Sequence, residues 1–163
     1  MNTEERSIKR DRMRFVRNST SSSLCYLGIL FDIFYFVNLY KSDVGTYYYQ
    51  IFIGASIVYN LLFLLVVFLA SEAVKNYKQN YSYLLAAVGA MQIVRIFYIP
   101  MRAHAATTLV NGEETAVMGN GQFTLQVVFL AISAACLLAS AAVNFYKCRE
   151  LAEHMKTLDA GKA

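Results

Sequence analysis

The sequence predicts an all-α membrane protein: a bundle of four transmembrane helices with both termini in the cytoplasm and a small extracytoplasmic hairpin in the third connection. Three observations carry this expectation. The chain of 163 residues is 57% hydrophobic and 16% charged, too apolar for an ordinary soluble domain of its size. Its apolar residues gather into four runs, at residues 22–40, 50–71, 82–100 and 123–146. At about 1.5 Å per helical residue, each run can cross a hydrocarbon layer about 30 Å thick. Finally, twelve of the fifteen basic residues fall on one side of the implied membrane, which fixes the orientation by the positive-inside rule.

The first element is a basic cytoplasmic arm, residues 1–21, carrying Arg6, Lys9, Arg10, Arg12, Arg14 and Arg17. A polybasic segment beside a span is drawn to anionic lipid headgroups by about 1 kcal/mol per Lys or Arg. The arm is too short to build a base-reading fold, so membrane lipid, not nucleic acid, is its expected partner.

The first span, LCYLGILFDIFYFVNLY, is too long for a signal-peptide core, carries Asp32 and is followed by no small-residue cleavage site, so it reads as an uncleaved helix. The second is joined to the third by a short cytoplasmic connection with Lys75 and Lys78. Pro100 is expected to end the third span, and Arg102 and His104 follow at the outer surface, His104 as a solvated polar residue. In the long third connection, TTLV and TAVM flank Asn111-Gly112, the strongest short hairpin signal.

The fourth span is dense in small residues, and Ala131, Ala135 and Ala139 follow the small-xxx-small rule for close helix approach, within the bundle or against another chain. Gln126, Ser133, Ser140 and Asn144 form a polar stripe on it. Gly28, Gly54 and Gly89 offer similar close approaches on the other helices. A cytoplasmic tail, residues 147–163, continues helically with Leu151, Met155 and Leu158 on one side and His154 in solvent.

Tyrosines support the boundaries. Tyr40, Tyr47, Tyr48, Tyr49 and Tyr98 mark the outer interface, and Tyr26, Tyr77, Tyr81, Tyr83 and Tyr146 the inner one, leaving Tyr35 and Tyr59 in mid-membrane. Asn18-Ser19-Thr20 and Asn80-Tyr81-Ser82 match the glycosylation pattern but fall on the cytoplasmic side, where it is not used. The three cysteines, Cys25, Cys136 and Cys148, have neither metal spacing nor an even count, so they read as small buried residues.

Candidate functional residues emerge from depth. Asp32 lies near the midplane of the first span, and Asn60, Gln92 and Ser133 reach similar depths in the others. Arg95 stands one turn outward of Gln92, near Tyr35 and Ser56. A charge at the centre of a membrane helix costs about 2.5–3.5 kcal/mol on insertion scales, so pairing relieves both Asp32 and Arg95. The expected site is therefore a polar layer of Asp32, Arg95, Tyr35, Asn60 and Gln92, with a bidentate Arg–Asp contact at its centre. That layer either fixes helix register or handles a solute, a proton or a partner's polar group.

No catalytic, metal, phosphate-binding or cofactor motif is present, and no internal repeat marks two transporter halves. The leading expectation is a non-enzymatic accessory or assembly subunit of a larger membrane complex, such as a transporter or permease, in the plasma membrane. Its partner would be another integral membrane protein or a second copy meeting the fourth helix. The alternatives are a small homo-oligomeric transporter or channel using the Asp32 and Arg95 pair and, more remotely, an intramembrane enzyme using Asp32 with Tyr35 or Tyr59.

Overall fold

The computed structural model describes residues 15–39, 47–110 and 113–160. The basic arm up to residue 14, the connection after the first span with Tyr40, and the Asn111-Gly112 pair lie outside the described residues, as do the side chains of Tyr47, Tyr48 and Tyr49.

Helix α1 is Ser19–Leu39, α2 is Tyr47–Lys75, α3 is Asn80–Tyr98, α4 is the short Pro100–Ala105 and α5 is Asn120–Ala160. Four stretches are long and apolar enough to cross a membrane: α1, α2 from Gly54 onward, α3 together with α4, and α5 to Leu158. By length and composition this is a multi-pass membrane protein.

Local sequence sets the ends. Asn18 caps α1, its Oδ1 accepting the backbone N–H of Ser21 at 3.3 Å, and its own N–H donates to the Lys75 carbonyl at the end of α2 at 3.0 Å. Helix α2 closes in a Schellman turn: Lys78 N–H reaches the Ala73 carbonyl at 3.2 Å and Tyr77 N–H the Val74 carbonyl at 3.1 Å. The left-handed position in that turn is held by Tyr77 (φ 57°) where glycine is usual, at a backbone cost of about 1–2 kcal/mol.

Pro100 interrupts the third span and does not terminate it. Lacking an N–H, it starts α4 from the first helical position, and the chain stays helical to Ala105. Strand β1, Thr107–Val110, then pairs antiparallel with β2, Glu113–Ala116, with Thr107 opposite Ala116 and Val110 opposite Glu113. Val117 and Met118 return the chain to the bundle as buried residues. His104, expected in solvent, is half-buried and stacks on Phe123 at 4.5 Å between centroids. His154, also expected in solvent, stacks on Phe15 at 5.2 Å.

Helix α5 is the axis of the bundle, with α1 and α3 packed most extensively against it; α2 packs chiefly on α1 and only lightly on α3. Two glycines permit the close approaches. A Cβ on Gly28 would stand 3.1 Å from the Leu137 side chain, and one on Gly89 would stand 3.0 Å from Leu138. Gly54 faces open space and supports no such contact.

The distribution of polarity is inverted relative to a water-soluble bundle. Leu61, Leu65, Val94 and Phe97 are more than half exposed, whereas Asp32, Arg95, Gln92, Gln126 and Asn144 are buried. All four members of the stripe on α5, Gln126, Ser133, Ser140 and Asn144, are fully buried. Ala131, Ala135 and Ala139 lie on the opposite, exposed face with Ala142.

Candidate functional site

Two polar groupings lie inside the bundle. At the end nearest the N-terminal arm, Asn144 ties three helices together. Its Oδ1 accepts from Asn18 Nδ2 at 2.9 Å and its Nδ2 donates to Ser82 Oγ at 2.8 Å. One turn deeper, Ser140 meets Ser21 Oγ at 2.7 Å and Cys25 Sγ at 3.1 Å. Deeper again, Ser133 donates to the Gly28 carbonyl at 2.8 Å. This network is local and neutral, and its short hydrogen bonds lock helix register. Cys25, Cys136 and Cys148 are all free thiols, the first and last buried.

The second grouping holds the charges. Arg95 Nη1 donates to Asp32 Oδ1 at 3.2 Å, and Gln92 Nε2 donates to the same oxygen at 2.9 Å. Asp32 is 1% exposed and Arg95 6%. The contact is through one guanidinium nitrogen, not the expected bidentate fork, because Nη2 is taken by Ser56 Oγ at 3.0 Å. The guanidinium plane is also clamped: its Cζ lies 4.4 Å from the Tyr35 ring centroid and 4.6 Å from that of Tyr59. Two aromatic faces, one hydroxyl and one carboxylate thus surround a single buried cation.

Four of the five expected site residues therefore meet: Asp32, Gln92, Arg95 and Tyr35. Tyr35 contributes its ring face, while its hydroxyl forms no well-aligned hydrogen bond despite lying near Ser56 and Arg95. Asn60 does not join. It is buried, but neither atom of its amide has a hydrogen-bond partner, because the guanidinium settles one helical turn away beside Ser56. Ser56 and Tyr59 complete the site and were missed as members. Their signal was the spacing on α2, where Ser56, Tyr59 and Asn60 share one side.

Further buried polar atoms without partners are Gln92 Oε1, Arg95 Nε and both amide atoms of Gln126. Beside Arg95 a cleft of about 340 Å³ opens between α2 and α3, lined by Ala55, Ser56, Tyr59, Met91, Val94, Arg95, Tyr98 and Ile99. Among the described residues no three His, Cys, Asp or Glu side chains come together in a way that could hold a metal ion. Chemically the site is a net-neutral ion pair with residual donors and acceptors, able to orient a polar group presented from the membrane.

No family model, no curated protein and no solved structure matches this chain. What can be argued about its function comes from its own geometry.

Proposed function

We propose that the chain is a non-enzymatic accessory or assembly subunit of a larger membrane complex, with a transporter or permease as its partner. The observation that carries this is the division of α5 into two close-packing faces. One face is consumed inside the chain by Gly28 and Gly89, whereas the outward face presents Ala131, Ala135, Ala139 and Ala142, with no helix over them among the described residues. Small residues at this spacing let a second helix approach closely in lipid, where shape and not water drives association.

The Asp32 and Arg95 pair, its charges neutralised within the chain, then keeps the bundle's helices in register while the outer face docks. Segregation of basic residues supports cytoplasmic termini, and the plasma membrane is the location we propose. The basic arm then rests on anionic headgroups, and the β1–β2 pair projects on the other side of the membrane.

Extraction in a gentle detergent should bring down a larger partner in fixed stoichiometry. Ala135→Leu and Ala139→Leu, on the exposed face and away from the core, should release that partner while the chain stays folded. Recovery of the single chain alone, or of its homo-oligomer, refutes the reading. The second reading, a small transporter or channel, is favoured by the cleft beside Arg95. It requires that Asp32→Asn abolish flux in liposomes with the fold intact, and unchanged flux eliminates it.

A further inference from the structure

Independently of the accessory-subunit reading, we infer that the cleft between α2 and α3 is a binding site for a neutral, lipid-soluble molecule whose head is a carbonyl-type hydrogen-bond acceptor. The cleft's mouth is formed by Met91, Val94 and Tyr98, each about half exposed or more on the apolar outer surface of the bundle. A ligand therefore enters sideways, from the hydrocarbon. Its walls are apolar or aromatic over most of their extent, with Ala55, Tyr59 and Ile99 completing them, the setting that holds a tail or a ring.

The floor is different. Arg95 and Ser56 line it, and both are more than nine-tenths buried. Arg95 Nε–H has no acceptor in the protein and is enclosed just under the cleft surface, so a ligand reaches it only with a small shift of the lining. Ser56 Oγ accepts from Arg95 Nη2 at 3.0 Å, and its own hydroxyl proton can turn either to the neighbouring Tyr35 hydroxyl or to a ligand. The floor thus offers donors, and a buried donor without an acceptor is a strong demand for one.

Charge decides what kind of acceptor fits. Asp32 already neutralises the guanidinium at 3.2 Å. An anion in the cleft would leave a net negative charge in a medium of low dielectric, where it is poorly screened. A cation would face a donor floor. A neutral carbonyl satisfies the donors without disturbing the pair, and its apolar remainder replaces lipid along Met91, Val94 and Tyr98. Carboxylic ester lipids and ring diones such as quinones share this chemistry.

The test uses the purified 163-residue chain in an alkyl maltoside, a detergent without carbonyl groups. Thermal unfolding is followed against rising concentrations of 2-dodecanone, dodecane and dodecanoate, so that tail length is constant and only the head changes. A ligand that binds only the folded chain raises the midpoint, and the rise becomes logarithmic in its concentration once that passes Kd. The ketone should bind about tenfold more tightly than the alkane, and more tightly than the carboxylate.

Ser56→Ala should weaken the ketone by about five- to tenfold. Ala55→Phe, which fills the cleft from an exposed wall position, should abolish the ligand-dependent shift, each variant being compared with its own unliganded midpoint. Monodecanoylglycerol and decylbenzoquinone then distinguish the two sources, the tighter binder naming the class. Equal binding of ketone and alkane, tighter binding of the carboxylate, or a shift that survives Ala55→Phe each overturns the inference. So does loss of a co-purifying protein on Ala55→Phe with ketone binding intact, which would seat a partner's helix in the cleft.

Discussion

Removing the partners of the buried ion pair one at a time should give unequal costs, and the inequality follows from the geometry. Arg95→Met leaves the Asp32 carboxylate, 1% exposed, with the single Gln92 hydrogen bond at 2.9 Å. Breaking a buried pair in this way typically costs about 3–5 kcal/mol. Asp32→Asn is milder for two reasons. The new amide oxygen can still accept from Gln92 and Arg95, and the stranded cation keeps Ser56 at 3.0 Å and the faces of Tyr35 and Tyr59 at 4.4 and 4.6 Å. Two desolvated cation–π contacts of roughly 0.5–2 kcal/mol each offset much of the loss, so the net cost should be about 1–3 kcal/mol. The double variant carries no buried charge and should recover about 1–3 kcal/mol relative to the sum of the single changes. Reversible unfolding in mixed detergent micelles, read by circular dichroism, measures all three. Strict additivity, or an Asp32→Asn cost above that of Arg95→Met, would refute the argument that the rings and Ser56 hold the cation.

Other expectations follow from packing and orientation. Gly89→Leu forces a side chain into the space within 3.0 Å of Leu138 and should destabilise by about 1–3 kcal/mol; Leu138→Ala in the same chain should restore part of it in the same unfolding assay. Asn144→Ala orphans both Asn18 Nδ2 and Ser82 Oγ at a buried site and should cost about 2–4 kcal/mol, more than Gln126→Ala, whose amide has no partners to lose. In a chain with its native cysteines replaced, a membrane-impermeant maleimide should label Leu109→Cys on intact cells and Val16→Cys only after permeabilisation. Both positions are well exposed, so the reverse pattern would invert the proposed topology.

Depth was legible in the sequence, but azimuth was not. Asp32 and Arg95 stood out because charges inside apolar runs are costly, and counting residues from the ends of the runs put Gln92 and Tyr35 at reachable heights. The same count put Asn60 in the layer. Height along a helix says nothing about which of two polar residues, one turn apart on the same side, will meet a long side chain arriving from a neighbour. The guanidinium chose Ser56, helped by the ring of Tyr59, and the small hydroxyl leaves room for a clamp that a carboxamide would crowd. The fourth apolar run posed a similar ambiguity. Its alanines suit either face of a helix, so composition could not tell that Ser133 and Ser140 turn inward while Ala131, Ala135 and Ala139 turn out. Helix α2 also continues past its apolar run, through Ser71 and Glu72 to Lys75, because no glycine or proline stops it there.

The uneven packing of α2 has a mechanical result. Helices α1, α3 and α5 are knotted at one end by Asn144, Ser140 and Ser82 into a stiff tripod, whereas α2 leans on α1 and barely brushes α3. Hydrogen exchange should accordingly run fastest in the half of α2 beyond the Asn18 to Lys75 tether. A fold built this way should move most easily as one swinging leaf, hinged at that tether and latched by the guanidinium.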